Sequence, residues 1–399
     1  MGTPTDKRGS EIRRPVVAAA VFAWAASGVV LFVFTRGPSM PRADARADAP
    51  APIALPTSSV RLPDPAYAPP ARVPLPAEVR GFFWTAASAG GAREPALEAF
   101  AKKTGLNAVV IDAQEDDGAL AFAPRNPALE AQADPAPAIH DLDGLLRRLG
   151  GDGLYRIARI VVMRDAVYAA AHPSAALRAQ GGGLWRDAAG YAWLDPAAPD
   201  AVRNAEALAR EAYARGFDEA QFDYVRFPSD AGAVYPVFSP ATQTRNGVMV
   251  SFFKAVGDRL RAAGIPTSFD IFGITCWADD GQGIGQRVRA VLPSASFLSP
   301  MVYPSHFADG FDGFANPADH PYDVVKRSLD ACNRGSITAS SSSVRGHFRP
   351  WLQDFNLGAV YGVAQVQEEI RAARDAGASG WLLWNARNVY APGNFGPAH

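Results

Sequence analysis

The feature that most constrains how this chain can fold is a local pattern that recurs along it. A helical stretch ends at a glycine, a short apolar run follows, and the run ends at an acid, as in 105–112, 216–223 and 264–270. The segment 377–384 repeats the shape without the acid. Glycine commonly ends a helix. Apolar runs that alternate with helical patterns predict βα units around a parallel sheet that is covered on both faces.

The apolar runs between residues 79 and 390 predict eight strands, and amphipathic helices are predicted between them because apolar residues recur there at helical spacing. The strands are 81–85, 108–112, 156–162, 219–223, 267–270, 297–301, 348–352 and 380–384, and the helices are 95–103, 142–149, 199–215, 248–263, 322–333 and 363–376. Eight strands in one run favour closure. The predicted fold is therefore an α/β (β/α)8 TIM barrel, with an open doubly wound sheet as the alternative.

The N-terminal part of the sequence predicts a membrane anchor followed by a linker. An uncharged apolar run, 16–34, is long enough at about 1.5 Å per residue to cross a hydrocarbon core of about 30 Å. Four basic residues precede the run and only Arg36 follows it closely, which leaves the N-terminus inside the cell. The prediction is a cytoplasmic N-terminus (1–15), a transmembrane signal anchor (16–36), a disordered Pro/Ala-rich linker (37–78), the barrel (79–390) and a C-terminal tail (391–399).

This organisation predicts a single-pass protein of the cytoplasmic membrane whose barrel lies on the periplasmic or extracellular side. The alternative is a signal peptide whose cleavage releases the protein. Two cysteines, Cys276 and Cys332, are compatible with an oxidising compartment. They either pair or remain buried thiols, and buried thiols are slightly favoured because nothing in the sequence places them within bonding distance.

Charge and motif content exclude several other functions. Lys and Arg total 39 and Asp and Glu total 40, so the net charge of -1 does not attract nucleic acid. None of the six histidines has the short spacing of a zinc-ligand pair, and Gly281, Gly283 and Gly285 match neither a dinucleotide-binding loop nor a phosphate-binding loop. The sequence therefore predicts no metal, no cofactor and no nucleic-acid partner.

Three acids end predicted parallel strands, namely Asp112, Asp223 and Asp270. The carboxyl ends of the strands surround one mouth in a barrel, so these side chains and Asp354, which follows the seventh strand, are expected in one cavity. Cleavage of a glycosidic bond requires two carboxyl groups, one as proton donor and one as nucleophile or base. An isolated Asp at such a place is more often a helix cap or turn residue, but repetition weakens that interpretation. Asp223, Asp270 and Asp354 are therefore the predicted catalytic residues, with Asp270 as the general acid or its support.

Asp223 has the strongest context because Arg226 follows it closely. An arginine can hold a neighbouring carboxylate ionised as a nucleophile requires, so Arg226 is predicted to pair with Asp223. Aromatic residues lie at the same strand ends, where indole and phenol rings can pack against sugar rings while polar neighbours bind hydroxyls. The predicted substrate-binding residues are Asp112, Arg159, Trp185, Arg226, Tyr303, His306, Trp351, Gln353, Trp384 and Asn385.

Several longer motifs follow one another in order between residues 79 and 390, among them GLNAVVIDAQEDDG, GFDEAQFDYVRFPSD, RPWLQDF and GWLLWNARNVY. In this order they resemble the bacterial glycoside hydrolase family that was formerly known only as a domain of unknown function. The resemblance implies a barrel related to the α-amylase-like glycosidases and a polysaccharide context outside the cytoplasm. It also implies a nucleophile after strand four, an acid after strand five and a supporting Asp after strand seven, at Asp223, Asp270 and Asp354. Two departures are that Gln221 stands where those enzymes carry an Arg, and that their acid is a Glu.

The predicted function is therefore a glycoside hydrolase that cleaves a bond of a cell-wall polysaccharide or exopolysaccharide by two-carboxylate acid/base catalysis. Its expected partners are a polysaccharide or oligosaccharide substrate and the cytoplasmic membrane. The alternative from another class is a non-catalytic, membrane-anchored barrel that binds or senses carbohydrate, and fold alone cannot separate the two. Transglycosylation or lyase chemistry on the same scaffold is a third possibility.

Overall fold

A computed structural model describes residues 68–229, 244–337, 348–393 and 395–396. Parallel strands β1 to β8 pair in sequence order, and β8 pairs with β1, so that the sheet closes into a barrel. The strands are Val79–Trp84, Ala108–Asp112, Tyr155–Val161, Glu219–Asp223, Thr267–Phe272, Phe297–Met301, Trp351–Gln353 and Gly380–Trp384. The predicted eight-stranded α/β barrel is confirmed, and the open-sheet alternative is wrong.

Helices fill the connections and pack against the outside of the barrel. The α-helices α1 to α9 are Ala86–Ala89, Glu94–Thr104, Leu142–Gly151, Ala166–Ala171, Pro199–Arg215, Arg245–Ala262, Val288–Val291, Pro321–Ile337 and Val363–Asp375. Gly105 (φ 78°) and Gly216 (φ 120°) end α2 and α5 in backbone conformations that favour glycine, which explains why glycine precedes the apolar runs. Strand β7 is shorter than predicted because Pro350 has no N–H to donate to a sheet.

The interior of the barrel contains a buried ion pair below the strand ends. Glu219 of β4 and Arg349, which precedes β7, are both fully buried and form this pair. Glu219 also accepts hydrogen bonds from Ser268 Oγ at 2.6 Å and from the Tyr155 hydroxyl at 3.2 Å. Since a buried charge is stable only when it is paired and hydrogen-bonded, these four residues stabilise one another in one network inside the barrel.

A buried carboxyl connects the two long insertions that follow β2 and β3. Asp165 Oδ1 caps α4 by accepting from the Tyr168 N–H at 2.7 Å. Asp165 Oδ2 accepts from Gln114 at 3.0 Å and from Gln132 at 2.7 Å. The chain between residues 172 and 195 then folds back on itself through antiparallel bridges such as Arg186 with Ala192. Both insertions are thereby fixed beside the carboxyl ends of the strands.

The last part of the predicted linker packs against the barrel. Arg72 donates to the backbone oxygens of Phe217 and Tyr213, and its guanidinium lies 3.7 Å from the centre of the Tyr213 ring. The Val73 N–H donates to Asp218 Oδ1 at 2.9 Å, and Arg156 donates to the Ala71 oxygen at 2.8 Å. The segment 68–78 is therefore bound at the N-terminal ends of β3 and β4.

The predicted cytoplasmic N-terminus and membrane anchor, together with the linker up to residue 67, lie outside the described residues. Within the described ranges, no helix has both the length and the apolar character needed to span a membrane.

The two cysteines form a disulfide, so the slightly favoured prediction of two buried thiols is wrong. Cys276 ends the short helix Gly273–Cys276 that follows β5, and Cys332 lies on α8. Neither position could be related to the other from the sequence, since 56 residues separate them. The bond ties the connection after β5 to a long helix on the outside of the barrel.

Loss of this disulfide should lower the thermal stability of the protein. Cross-linking across 56 residues restricts the unfolded chain, and the entropy of that loop corresponds to about 4 kcal/mol in the free energy of unfolding. The double variant Cys276→Ser/Cys332→Ser should therefore melt several degrees below the oxidised wild type in calorimetry. Reductant should lower the melting temperature of the wild type and leave that of the variant unchanged, whereas equal melting temperatures without reductant would contradict a stabilising bond.

Candidate active site

A cavity of about 290 Å³ opens at the carboxyl ends of the strands, where (β/α)8 barrels place their active sites. Among the predicted site residues, its wall includes Asp112, Arg159, Asp223, Arg226, Tyr303, His306, Trp351 and Trp384. The remaining predicted residues are buried outside that wall, and they are Trp185, Asp270, Gln353, Asp354 and Asn385.

Arg159 connects carboxyl groups that come from two different strands. It lies on β3, paired with Asp112 of β2 in the sheet register. Its Nη1 donates to Asp112 Oδ1 at 2.6 Å, and its Nε and Nη2 donate to Asp223 Oδ2 at 3.0 and 2.8 Å. Because the Arg159 side chain is only 4% exposed, these charge-assisted bonds are weakly screened by water. One guanidinium thus orients two carboxyl groups that face the same cavity.

Burial and charge shift the pKa values of Asp112 and Arg159. Burial raises the pKa of Asp112 to about 7, although the charge of Arg159 opposes the shift. Burial alone would lower the pKa of Arg159, but Asp112 and Asp223 raise it well above its ordinary value. Arg159 therefore stays cationic, whereas Asp112 exchanges its proton near neutral pH. A carboxyl group with a pKa near the working pH is suited to general acid catalysis.

The chain turns sharply directly after Asp223. Tyr224 has a φ of 53°, in the left-handed region that bulky residues rarely adopt, and its N–H donates to Asp223 Oδ1 at 2.7 Å. Both oxygens of Asp223 are therefore bonded, Oδ1 to the backbone and Oδ2 to Arg159. The Tyr224 ring lines the cavity, and burial raises the pKa of its hydroxyl to about 12. The turn holds Asp223 at the cavity wall.

The predicted ion pair between Arg226 and Asp223 is wrong, because Arg159 provides the guanidinium that binds Asp223. Arg226 Nη1 instead donates to the Phe227 backbone oxygen at 3.2 Å. Its guanidinium lies 4.6 Å from the centre of the Phe272 ring, a cation–π contact. The left-handed backbone at Tyr224 separates the two residues, so Arg226 does not contact Asp223 although it is near in the sequence.

Asp270 of β5 lies beside Asp223 in the register of β4 with β5, but it is only 1% exposed. Its Oδ1 accepts hydrogen bonds from Gln221 Nε2 and Trp351 Nε1, both at 2.9 Å. Burial raises the pKa of Asp270 well above its ordinary value, and the charge of Asp223 raises it further. Gln221, where the α-amylase-like enzymes carry an Arg, is thus a neutral donor to this buried carboxyl.

Asp354 and Asn385 stabilise the loop that follows β8. Both carboxyl oxygens of Asp354 accept from the Ala391 N–H, at 3.0 and 3.3 Å. Asn385 Nδ2 donates to the backbone oxygens of Asp354 and Val389. Burial raises the pKa of Asp354 to about 7. These contacts argue against a direct role of Asp354 in catalysis and of Asn385 in substrate binding.

Gln353 and Trp185 support the cavity from outside its wall. Gln353 Oε1 accepts from Ser305, the residue before His306. Trp185 packs edge to face against Trp193 with ring centres 6.4 Å apart, as a core residue of the insertion after β3. Neither side chain reaches the cavity that both were predicted to share.

Aromatic rings form much of the remaining wall. Trp384 stacks on Phe83 with ring centres 4.1 Å apart, and Trp351 meets Trp384 edge to face at 5.5 Å. The Arg159 guanidinium lies 5.4 Å from the centre of the Trp384 ring. Tyr303 lines the cavity and is almost fully buried. Such a wall offers flat apolar surfaces beside charged groups, which is the combination that sugar rings require.

The insertion after β2 supplies two cavity acids that the sequence analysis did not single out. Asp116 accepts from Arg159 at 3.4 Å and lies 3.5 Å from Arg164, and burial raises the pKa of Glu115. The sequence feature that could have indicated these two residues is the run of acids at 115–117, shortly after β2. In the described part of the chain, no group of three or more His, Cys, Asp or Glu side chains is arranged to hold a metal ion.

The comparison with protein families identifies the barrel. Residues 81–390 match the model of a family described as "Putative glycosyl hydrolase domain". The chain belongs to this glycosyl hydrolase family. The resemblance that the ordered motifs predicted is therefore confirmed. A search of the curated proteins found no match for this glycosyl hydrolase.

Solved structures similar to this glycosyl hydrolase include two glycoside hydrolase domains. The domain of PgaB (BpsB) from Bordetella bronchiseptica is 14% identical, with 77% of this chain and 94% of that one covered and a TM-score of 0.55. The domain of PelA from Pseudomonas aeruginosa is 15% identical over 78% and 96% of the two chains, with a TM-score of 0.42. A hypothetical protein from Ruminiclostridium thermocellum ATCC 27405 is 27% identical over 47% and 96%, with a TM-score of 0.43. The PgaB likeness supports the fold.

Asp354 should make the stability of this glycosyl hydrolase depend on pH. Its pKa of about 7 in the folded chain lies above the ordinary 3.8, so between these values the folded chain holds a proton that the unfolded chain has lost. The free energy of unfolding should therefore fall as pH rises from about 4 to about 7, by about 3 kcal/mol between pH 5 and pH 8 for this group.

The variant Asp354→Asn should lose this part of the pH dependence while it keeps turnover within about threefold of wild type, because its carboxyl faces Ala391 and not the cavity. Melting temperatures at pH 5 and pH 8 test the first expectation. An unchanged difference between the two pH values, or a loss of turnover in a folded variant, would contradict the structural role.

Proposed function

We propose that this glycosyl hydrolase cleaves a glycosidic bond of a cell-wall polysaccharide or exopolysaccharide by acid/base catalysis with two carboxyl groups. The observation that carries the proposal is that Asp112 and Asp223 share the Arg159 guanidinium at the wall of an aromatic cavity. Glycosidases use one protonated and one ionised carboxyl group around the scissile bond. The pair therefore supplies both of the groups that the reaction requires.

Asp223 is the nucleophile, or the base that activates water. Hydrogen bonds from Arg159 and from the Tyr224 N–H hold both of its oxygens in a fixed orientation. Asp112 is the proton donor, because its pKa of about 7 lets it carry a proton near neutral pH. When Asp112 gives up that proton, the negative charge that remains lies 2.6 Å from Arg159, which stabilises it.

Asp270 was predicted to be the general acid or its support, and its burial favours the supporting role. Its Oδ1 is bonded to Gln221 and Trp351, and only 1% of the residue is exposed. Two neighbouring carboxyl groups in a buried site do not both ionise readily. Asp270 therefore stays protonated and supports Asp223 as a neutral neighbour.

The aromatic wall binds the sugar rings on either side of the bond that breaks. Trp384 is the partly exposed ring of this wall, and the buried Trp351 packs against it edge to face. Arg226 and Tyr303 supply polar groups at the same wall. A polysaccharide chain could thus be held by ring packing while these polar groups orient its hydroxyls.

We also propose that the barrel works outside the cytoplasm, tethered by the apolar segment 16–36 or released after its cleavage. The Cys276–Cys332 disulfide supports this location, because disulfides persist in oxidising compartments and are rare in the cytosol.

The variant Asp223→Asn should abolish turnover. It removes the carboxylate that attacks or activates water, so the rate of reducing-end release from bacterial exopolysaccharides and cell-wall glycans should fall at least about a thousandfold. Asp116→Asn is the matched control, because Asp116 lines the same cavity and also contacts Arg159, but at 3.4 Å and with a third of its side chain exposed. It should retain turnover within about tenfold of the wild-type rate.

A folded Asp223→Asn enzyme with the wild-type rate would refute the assignment of Asp223. Glycan binding without release by the wild type would favour the non-catalytic barrel.

The proton on Asp112 should give the reaction a descending limb on the alkaline side. Since the pKa of Asp112 is about 7, kcat/KM should fall tenfold per pH unit above about pH 7. Asp112→Asn should be slow and should lack this limb. If the limb persists in Asp112→Asn and disappears in Asp270→Asn, then Asp270 is the proton donor and Asp112 is not.

A further inference from the structure

We infer that His306 presents an unprotonated Nε2 to the cavity and that this atom accepts a hydrogen bond from a hydroxyl or N–H group of the bound sugar. The inference rests on the proposed function, since it concerns a contact made by the same cavity. His306 then determines which sugars bind, and Ser305 and Gln353 are the residues that position its ring.

Two backbone groups fix the orientation of the Gln353 side-chain amide. Its Oε1 accepts from the Ser305 N–H at 3.2 Å, and its Nε2 donates to the Phe355 oxygen at 2.9 Å. A flipped amide would place two donors against each other at one end and two acceptors at the other. The Gln353 oxygen therefore faces Ser305. The Gln353 backbone N–H also donates to the buried Glu369 carboxyl at 2.8 Å, which fixes β7 at this point.

The orientation of Gln353 determines which group accepts the hydrogen bond that the Ser305 hydroxyl donates. Ser305 Oγ lies 2.7 Å from Gln353 Oε1. An amide oxygen cannot donate, so the hydroxyl must donate to it. Ser305 Oγ lies 3.1 Å from His306 Nδ1 as well. Because the hydroxyl has no second hydrogen, it accepts there, and His306 Nδ1 must carry the proton.

A neutral imidazole has one N–H, so a proton on Nδ1 leaves Nε2 as an acceptor. Burial lowers the pKa of His306 to about 4, which keeps the ring neutral near pH 7. The rings of Tyr303 and Phe355 meet the imidazole edge to face, with centres 5.1 and 5.9 Å away, and hold it in place. The ring lines the cavity, and within the described ranges no protein donor bonds to Nε2.

An acceptor that no protein group satisfies favours a ligand that brings a donor. Sugars carry hydroxyl groups at most ring positions, and amino or acylamino sugars add an N–H. An acceptor at the wall of a binding cavity discriminates against analogues that lack the donor group. His306 should thus reject sugars that are deoxygenated or alkylated at the position it contacts.

The tautomer can be measured directly on the full chain labelled with ¹⁵N-histidine. Long-range ¹H–¹⁵N spectra distinguish the protonated from the unprotonated ring nitrogen, and the signals of His306 are those that disappear in His306→Phe. The expected result at pH 7 is a proton on Nδ1. In Ser305→Ala, which removes the acceptor for that proton, the Nδ1–H form should lose its dominance. A proton on Nε2 of the wild type would overturn the inference.

Kinetics on a glycan that the wild type cleaves test the contact itself. His306→Phe keeps an aromatic ring but lacks the acceptor, so KM should rise about tenfold while kcat changes less than about threefold. His306→Gln, which can place an amide oxygen near the position of Nε2, should recover part of the loss. An unchanged KM in folded His306→Phe would overturn the contact even if the tautomer is as inferred. Failure of the wild type to cleave any glycan would instead contradict the proposed function, and the spectra would still decide the tautomer.

Discussion

The pairing of β8 with β1 is the constraint on which the rest of this structure depends. Closure brings the carboxyl ends of all the strands around one mouth, so residues far apart in the sequence become neighbours. Asp112, Arg159, Asp223 and Asp270 come from four consecutive strands, and the register of those strands decides which side chains meet. An open sheet would leave the strand ends in a row and would expose the carboxyl groups to water.

Within the mouth, one arginine organises the acids. Arg159 bridges Asp112 and Asp223 and also contacts Asp116, while the buried Asp270 depends on the neutral donors Gln221 and Trp351. The four carboxyl groups therefore experience different surroundings although they lie close together. Differences of this kind separate the protonation states of neighbouring acids, which two-carboxylate chemistry requires.

The sequence was sufficient for the strands, the barrel and the position of the strand-end acids, because these follow from local periodicity. It was not sufficient to predict which side chains those acids contact. Arg226 is near Asp223 in the chain, but the turn at Tyr224 directs it elsewhere, and Arg159 reaches Asp223 from another strand. Asp354 follows β7 as Asp223 ends β4, yet its carboxyl meets the N–H of Ala391 in the loop after β8. Contacts of this kind depend on loop paths, which leave no periodic signal in a single sequence.

The attachment of the segment 68–78 to the N-terminal ends of β3 and β4 gives the molecule a polarity. Arg72 and Val73 bind at one pole of the barrel, through Phe217 and Asp218, and the cavity opens at the other. The polypeptide that leads into the barrel therefore arrives on the side away from the mouth. A long polymer could therefore cross the mouth without meeting the segment 68–78.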